Sequence, residues 1–278
     1  MKNSMRISSV CALAVMTAFA ARANNAIVST IQNAKSGTTV NVSGTYTGIT
    51  TKINVPAGVT VQGPATFQFS SSATDGFVIS SGVTGVKLNS LTVKGANHGI
   101  FVQGNSNTIN GCVTTANNNT GIELLDSAAN NLVENCTSHD NVDKPTGGGN
   151  ADGFGCKQDN GSGNKFQNCT SYANSDDGYD FEKSAIPVTA TGCLSYTQGF
   201  TAGIQGNGNG FKMGISGDNT ANVYTSCVSH NNTAGNSPHG FSTNGNTGKI
   251  KITTCHSYSN KDADVLGNSV VSNSTMQN

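Results

Sequence analysis

From residue 99 onward, the apolar positions recur in two short phrases that alternate along the chain. One is glycine followed by an apolar or aromatic residue: Gly99-Ile100, Gly121-Ile122, Gly153-Phe154, Gly178-Tyr179, Gly210-Phe211 and Gly240-Phe241. The other sets a cysteine two positions before a hydroxyl: Gly111-Cys112-Val113-Thr114, Asn135-Cys136-Thr137-Ser138, Asn168-Cys169-Thr170-Ser171, Gly192-Cys193-Leu194-Ser195, Ser226-Cys227-Val228-Ser229 and Thr254-Cys255-His256-Ser257. Five residues past each cysteine stands an amide: Asn117, Asn141, Asn174, Gln198, Asn232 and Asn260. Both phrases are short, β-prone and bounded by Gly, Asn or Asp, so they read as strands and not as helices.

Successive glycine phrases lie 22, 32, 25, 32 and 30 residues apart, a basal coil carrying loop insertions of variable length. One phrase per coil is the mark of a solenoid. The pattern predicts an all-β protein, a right-handed, single-stranded parallel β-helix. Equivalent residues of successive coils would stack at roughly 4.8 Å. The cysteines then form an interior ladder of small, soft hydrophobes in preference to a disulfide framework, and the amides line a bend. Upstream, Asn24 or Asn25 can cap a short amphipathic helix through Ile27, Ile31 and Ala34, with strand-like stretches over 38–42 and 44–46. Such a helix plugs the open end of the core, where bare strand edges would otherwise recruit other chains.

Composition sharpens this picture. With 11% charged residues, 34 glycines and no Trp among 278 residues, the core should be narrow and built from Val, Ile, Leu, Phe and Cys. Residues 1–23 read as a secretory signal: basic Lys2 and Arg6, an apolar run from Val10 to Ala20, and Ala21-Arg22-Ala23 as the cleavage site. Residues 24–278 would form one secreted, extracellular β-helix domain, a monomer. Cleavage removes both arginines and Lys2, leaving 12 lysines against 15 acids, a net charge of about −3. No polybasic patch or membrane-spanning run remains, which argues against nucleic acid and membranes as partners.

Against so few charges, the acids concentrate in Asn150-Ala151-Asp152-Gly153-Phe154 and Asn174-Ser175-Asp176-Asp177-Gly178-Tyr179-Asp180. Aligning the glycines puts Asp152 over Asp177, with Asp176 and Asp180 flanking. Taken singly, Asp-Gly is ordinary turn chemistry. Four carboxylates in one patch repel unless a cation or shared protons neutralise them, and an oxygen-only ligand set favours Ca2+. That calcium could also be purely structural. Alignment on Gly210 places Lys212 in register with Asp180, and strand alternation sends it outward while Phe211 and Met213 point in. A neighbouring divalent cation would depress its pKa and suit it to taking a proton.

The phrases Asn150-Ala151-Asp152-Gly153-Phe154, Asp176-Asp177-Gly178-Tyr179-Asp180 and Asn209-Gly210-Phe211-Lys212-Met213-Gly214, in that order, resemble polysaccharide lyase family 9, a pectate lyase group of β-helical enzymes. Tyr179 stands where that family commonly carries Trp. The resemblance implies Asp152, Asp176, Asp177 and Asp180 as ligands of a catalytic calcium and Lys212 as the Brønsted base. It further implies a pectate or polygalacturonan substrate, an acidic polysaccharide, cleaved by β-elimination to a 4,5-unsaturated end. Lys157 and Lys183 follow the metal phrases closely and are candidate substrate contacts. Three other readings stay open: a rhamnogalacturonan or other uronan lyase, a polygalacturonase-like hydrolase, and a non-catalytic wall-binding β-helix. The hydrolase's Gly-His-Gly and Arg-Ile-Lys phrases are absent.

Overall fold

The computed structural model describes residues 24–277, and the signal peptide expected over 1–23 lies outside the described residues. The chain winds into a single-stranded parallel β-helix. One face is an eight-stranded parallel sheet with a single short strand per coil, running from Ile53–Asn54 through Ile122–Leu124, Phe154–Cys156, Tyr179–Asp180 and Phe211–Lys212 to Phe241–Ser242. A 17-stranded sheet covers the remaining faces. Here most coils supply a pair of strands, such as Leu132–Glu134 and Thr137–His139, which stack on Lys165–Gln167 and Thr170–Tyr172 of the next coil. A small antiparallel hairpin, Phe200–Thr201 with Ile204–Gln205, decorates the insertion between Gly178 and Gly210. A helix over residues 24–32 starts the described chain. It buries Val28 and Ile31 against the core, and Asn24 donates its side-chain amide to the carbonyl of Thr47.

The two sequence phrases are two halves of one contact. A Cβ built on Gly210 would stand 1.8 Å from Ser229 Oγ and 2.7 Å from the carbonyl oxygen of Gly240. The same collision, at 2.0 Å, would occur between Gly153 and Ser171 and between Gly178 and Ser195. The coils from Gly121 to Gly240 therefore close where a glycine lies against a buried hydroxyl of the Cys-x-Ser phrase. Immediately before the ladder cysteines, Asn135, Asn168, Ser226 and Thr254 hold positive φ near 53°, as do Gly111 and Gly192 at about 62°. This left-handed corner explains the preference for Gly and Asn there.

The stacked interior follows. All seven cysteines from Cys112 to Cys255 are buried and free. Those of the ladder make weak thiol contacts to carbonyls of the preceding coil, Cys136 to Ile109 and Cys169 to Val133 at 3.5 Å each. The amides form the expected bend ladder. The Asn117 N–H donates to Asn141 Oδ1 and the Asn141 N–H to Asn174 Oδ1, each at 3.1 Å. Gln198 preserves the chain of bonds, accepting from the Asn174 N–H at 3.1 Å and donating its own N–H to Asn232 Oδ1 at 3.0 Å. A second amide ladder through Asn107, Asn131 and Asn164 holds another corner. Phe154, Tyr179, Phe211 and Phe241 stack inside with centroids 4.7–4.9 Å apart. The core thus uses Tyr179 and Tyr224 as well as the aliphatic residues, Phe and Cys.

Because the Gly210 Cβ would meet backbone as well as a hydroxyl, Gly210→Ala is expected to cost about 1–3 kcal/mol or more. Gly149 has nothing within 4 Å of its Cβ position and no positive φ, so Gly149→Ala should stay within about 0.5 kcal/mol of the parent. Urea unfolding midpoints of the two variants check this contrast.

Candidate functional site

Counting from each glycine of the eight-stranded sheet, two side-chain columns face away from the core. The residue before the glycine gives Asp75, His98, Thr120, Asp152, Asp177, Asn209 and His239. The second residue after it gives Phe101, Glu123, Gly155, Asp180, Lys212 and Ser242, paired coil by coil. The register places Asp180 beside Lys212 and Asp152 below Asp177, as glycine alignment requires. Across the two columns Asp152, Asp177 and Asp180, all buried, bring a carboxylate oxygen each within 4.8 Å of the others.

Each oxygen has a defined environment. Asp152 Oδ1 accepts the N–H of Asp177 at 3.1 Å, while Oδ2 accepts Thr120 Oγ1 at 3.1 Å and the Lys157 ammonium at 2.7 Å. Asp177 Oδ1 takes the Asn209 N–H at 2.7 Å and its side-chain amide at 2.9 Å. Among the described residues, Asp177 Oδ2 is buried without a hydrogen-bond partner, 3.7 Å from Lys212 Nζ. Asp180 Oδ2 is 3.1 Å from both Lys157 and Lys212. Lys212 Nζ also donates to Glu182 Oε2 at 2.9 Å. At Gly155 a Cβ would come within 3.3 Å of Lys157 Cε and of Glu123 Cγ, so the missing side chain lets both reach over the sheet.

The charges are strongly coupled. Burial pushes Asp177 up to about 7, with Asp152 and Asp180 adding to the shift and Lys212 opposing it. Asp152 is also raised by burial, and Asp176 well above the usual carboxylate range by burial, Asp177 and Asp152. Asp180, touched by two ammoniums where Asp152 is touched by one, is held below its usual value in spite of burial. Burial disfavours the Lys212 ammonium, yet Asp180, Asp177, Asp152 and Glu182 together raise its pKa far above normal. A depressed lysine is expected beside a bound divalent cation; the chain's own charges, acting alone, push in the opposite direction.

Of the expected ligands, Asp152, Asp177 and Asp180 converge. Asp176 lies alongside, one oxygen committed to the Asn207 N–H at 2.7 Å. Lys157 sits inside the cluster, not on a flank. Lys183 is not brought to the acids; it is exposed on the turn after Asp180, its backbone N–H bonded to Asp218 at 2.9 Å. Sequence reasoning missed Glu123, Glu182, His98 and Asp75. Three of them were readable as columns, since Asp75-Gly76-Phe77 is one more copy of the phrase and Glu123 and Asp180 share a position in it. His98 Nδ1 lies 2.8 Å from Asp75 and Nε2 2.8 Å from Glu123.

An oxygen-only donor set with an unpartnered buried oxygen on Asp177 fits a hard divalent cation, which Asp152, Asp177 and Asp180 would hold. Among the described residues no helix is long and apolar enough to cross a membrane. Without metal, the titrations carry a signed expectation. His98 is opposed by burial yet raised to about 9 by Asp75 and Glu123, so its contribution is complete below its ordinary value of 6.5 and lost as pH rises through 9. Asp177 keeps its proton in the folded state up to about 7, so between 3.8 and 7 rising pH also favours unfolding. Chelator-treated protein should therefore lose stability steadily from pH 4.5 to 9. His98→Gln should flatten the part between 6.5 and 9, on the order of 3 kcal/mol, in urea titrations.

A protein-family model described as "Pel9A-like, right handed beta helix region" matches residues 18–275. Pectate lyase L of Dickeya chrysanthemi is 34% identical over 166 residues, covering 58% of this chain and 38% of that protein. Pectate lyase L of Paenibacillus polymyxa is 36% identical over 189 residues, covering 61% of this chain and 41% of its own. The chain thus spans about two fifths of the length of these curated relatives. The crystal structure of pectate lyase Pel9A superposes with a TM-score of 0.75 at 27% identity, over 90% of this chain and 72% of that one. A structure titled rhamnogalacturonan lyase shares the fold, with a TM-score of 0.67 at 22% identity over 80% of this chain and 67% of that one. With almost every coil inside the matched region and the same winding in the superposed crystal structure, the chain belongs to the Pel9A-like right-handed β-helix family.

Proposed function

We propose that this chain is a calcium-dependent polysaccharide lyase that cleaves pectate-type uronans by β-elimination, with Lys212 as the base. The observation that carries the reading is the buried convergence of Asp152, Asp177 and Asp180, one oxygen unpartnered, directly beside Lys212. Similarity to proteins named pectate lyase supports the substrate class. The acid spacing adds to this. Glycosidase carboxyl pairs stand roughly 5–9.5 Å apart with room for a sugar between them. Here Lys157 Nζ contacts both Asp152 and Asp180, so an ammonium occupies the space between two of the acids, an arrangement better suited to binding a cation than to acid–base hydrolysis.

When bound, calcium supplies a Lewis acid and a template for the uronate carboxylate, making the C5 proton removable. Neutralising the three aspartates would remove the largest part of the field that keeps Lys212 protonated, leaving Glu182, and would bring the amine toward use as a base. Glu182, 2.9 Å from Nζ, orients the amine. Lys212 takes the C5 proton, the C5–H electron pair becomes the 4,5 double bond, and the C4–O pair leaves on the oxygen of the departing sugar, which is protonated from water. Residues 1–23 act as a secretory leader and 24–278 as a parallel β-helix domain that works outside the cell as a monomer.

Unsaturated product, read by ultraviolet absorbance on polygalacturonate, should vanish with chelator and return with calcium. Asp177→Asn should weaken calcium binding by about tenfold or more by removing ligand charge. Full activity in excess chelator would falsify the metal's role. At saturating calcium, Lys212→Ala should lose on the order of 100- to 10,000-fold in rate, because no other group replaces a positioned base. Lys212→Arg should be nearly as inactive, since a guanidinium does not give up its proton at this pH. A Lys212→Ala rate within a few-fold of the parent rules out the assigned base.

A further inference from the structure

We infer that Lys157 is a displaceable counter-ion of the aspartate cluster, and that Glu123, oriented by His98 and Asp75, is the acceptor to which its ammonium moves when a divalent cation binds. The inference rests on the metal reading proposed above and extends it to residues outside the ligand set. Lys157 Nζ stands 2.7 Å from Asp152 Oδ2 and 3.1 Å from Asp180 Oδ2, occupying two of the three carboxylates that would hold the cation. An ammonium and a divalent cation on the same oxygens repel each other in a poorly solvated site, so one must leave.

The route out is narrow. The Lys157 side chain is only 9% exposed, so moving into solvent would open the site. Glu123 Oε1 lies 3.9 Å from Nζ, short of close contact but within reach of a small side-chain rotation. Nothing stands between them on the sheet, since the intervening register position is Gly155, where a Cβ would come within 3.3 Å of Lys157 Cε and 3.4 Å of Glu123 Oε1.

Glu123 is built as a fixed receiver. Its Oε2 is 2.8 Å from His98 Nε2, and His98 Nδ1 is 2.8 Å from Asp75 Oδ1, so both ring nitrogens are spent holding carboxylates in place. The imidazole also stacks on Phe101 at 4.8 Å, which fixes its plane. This leaves Oε1 facing Lys157. Asp75, His98 and Glu123 occupy consecutive coils of the two outward columns, so the relay is part of the repeat and not of a loop.

The test is a double-mutant cycle read as calcium affinity, by calorimetric titration of calcium chloride into the metal-stripped full chain. Lys157→Met removes the competitor and should tighten calcium binding by about tenfold, while lowering stability without metal because the acids lose a counter-charge. Glu123→Gln alone should weaken calcium binding by about five- to tenfold, since the displaced ammonium has no partner. In the Lys157→Met background the Glu123→Gln change should fall to within about twofold. If Lys157→Met proves too unstable when stripped, the same cycle is run on calcium-loaded protein as release rates into excess chelator, with slower release expected for Lys157→Met. Equal effects of Glu123→Gln in both backgrounds, or weaker binding by Lys157→Met, overturn the inference while leaving the metal site standing. Absence of any calcium binding by the parent protein overturns the metal site and the inference with it.

Discussion

From Gly121 onward, coils of this protein close at a point where a glycine α-carbon lies against a buried hydroxyl with no room for a methyl group, as at Gly153 on Ser171, Gly178 on Ser195 and Gly210 on Ser229. That contact sets where these coils re-enter the eight-stranded sheet, and so sets the register between them. A one-residue slip would send the outward residues into the core and the aromatic stack into solvent. The amide ladders reinforce the same register, because each Asn or Gln bonds the backbone of its neighbouring coil at a corner. Insertions of different lengths can be carried between the phrases because each excursion begins and ends at positions fixed by these contacts.

The functional cluster is a by-product of that register. Residues one before and two after the glycine project from the same sheet, so acids in either position of adjacent coils are forced together. Burying them is costly, and the shifts on Asp152, Asp176 and Asp177 are the signature of that cost. The chain offsets it with two lysines drawn from different positions, Lys212 from the next coil and Lys157 from two residues past Gly155. The offset is incomplete. One oxygen of Asp177 has no hydrogen-bond partner, and Lys212 is held protonated by the acids that a cation would neutralise. Stability without metal and readiness for proton abstraction therefore pull in opposite directions at one site.

The acid–cation array also extends beyond the cluster. Asp75, His98 and Glu123 continue the two columns toward the N-terminal coils, where an imidazolium between two carboxylates keeps the charges balanced. Farther along, Asn209 in the first column and Ser242 in the second carry no charge, so the acid cluster ends there. The concentration of buried charge on a few coils is what distinguishes this region from the structural repeat around it.

The sequence by itself determined the coil repeat, the β-helix, the interior cysteine ladder, the amide bend and the register that sets Asp180 beside Lys212, because a parallel stack makes neighbours of equivalent residues in consecutive repeats. The same logic reached Asp152 and Asp177, and would have reached Asp75, His98 and Glu123 had the columns been followed past the acid-rich phrases. Tertiary structure alone decided the rest. The course of the insertion carrying Asn207 draws one oxygen of Asp176 away to a backbone N–H. The long side chain of Lys157 bends back over Gly155 into the cluster, while Lys183, at a similar distance from its phrase, stays on an exposed turn. Repeat spacing fixes where a Cα sits, but the reach of a flexible side chain and the path of an irregular loop depend on the space and charge left by other coils. Those are properties of the assembled stack and not of any one phrase.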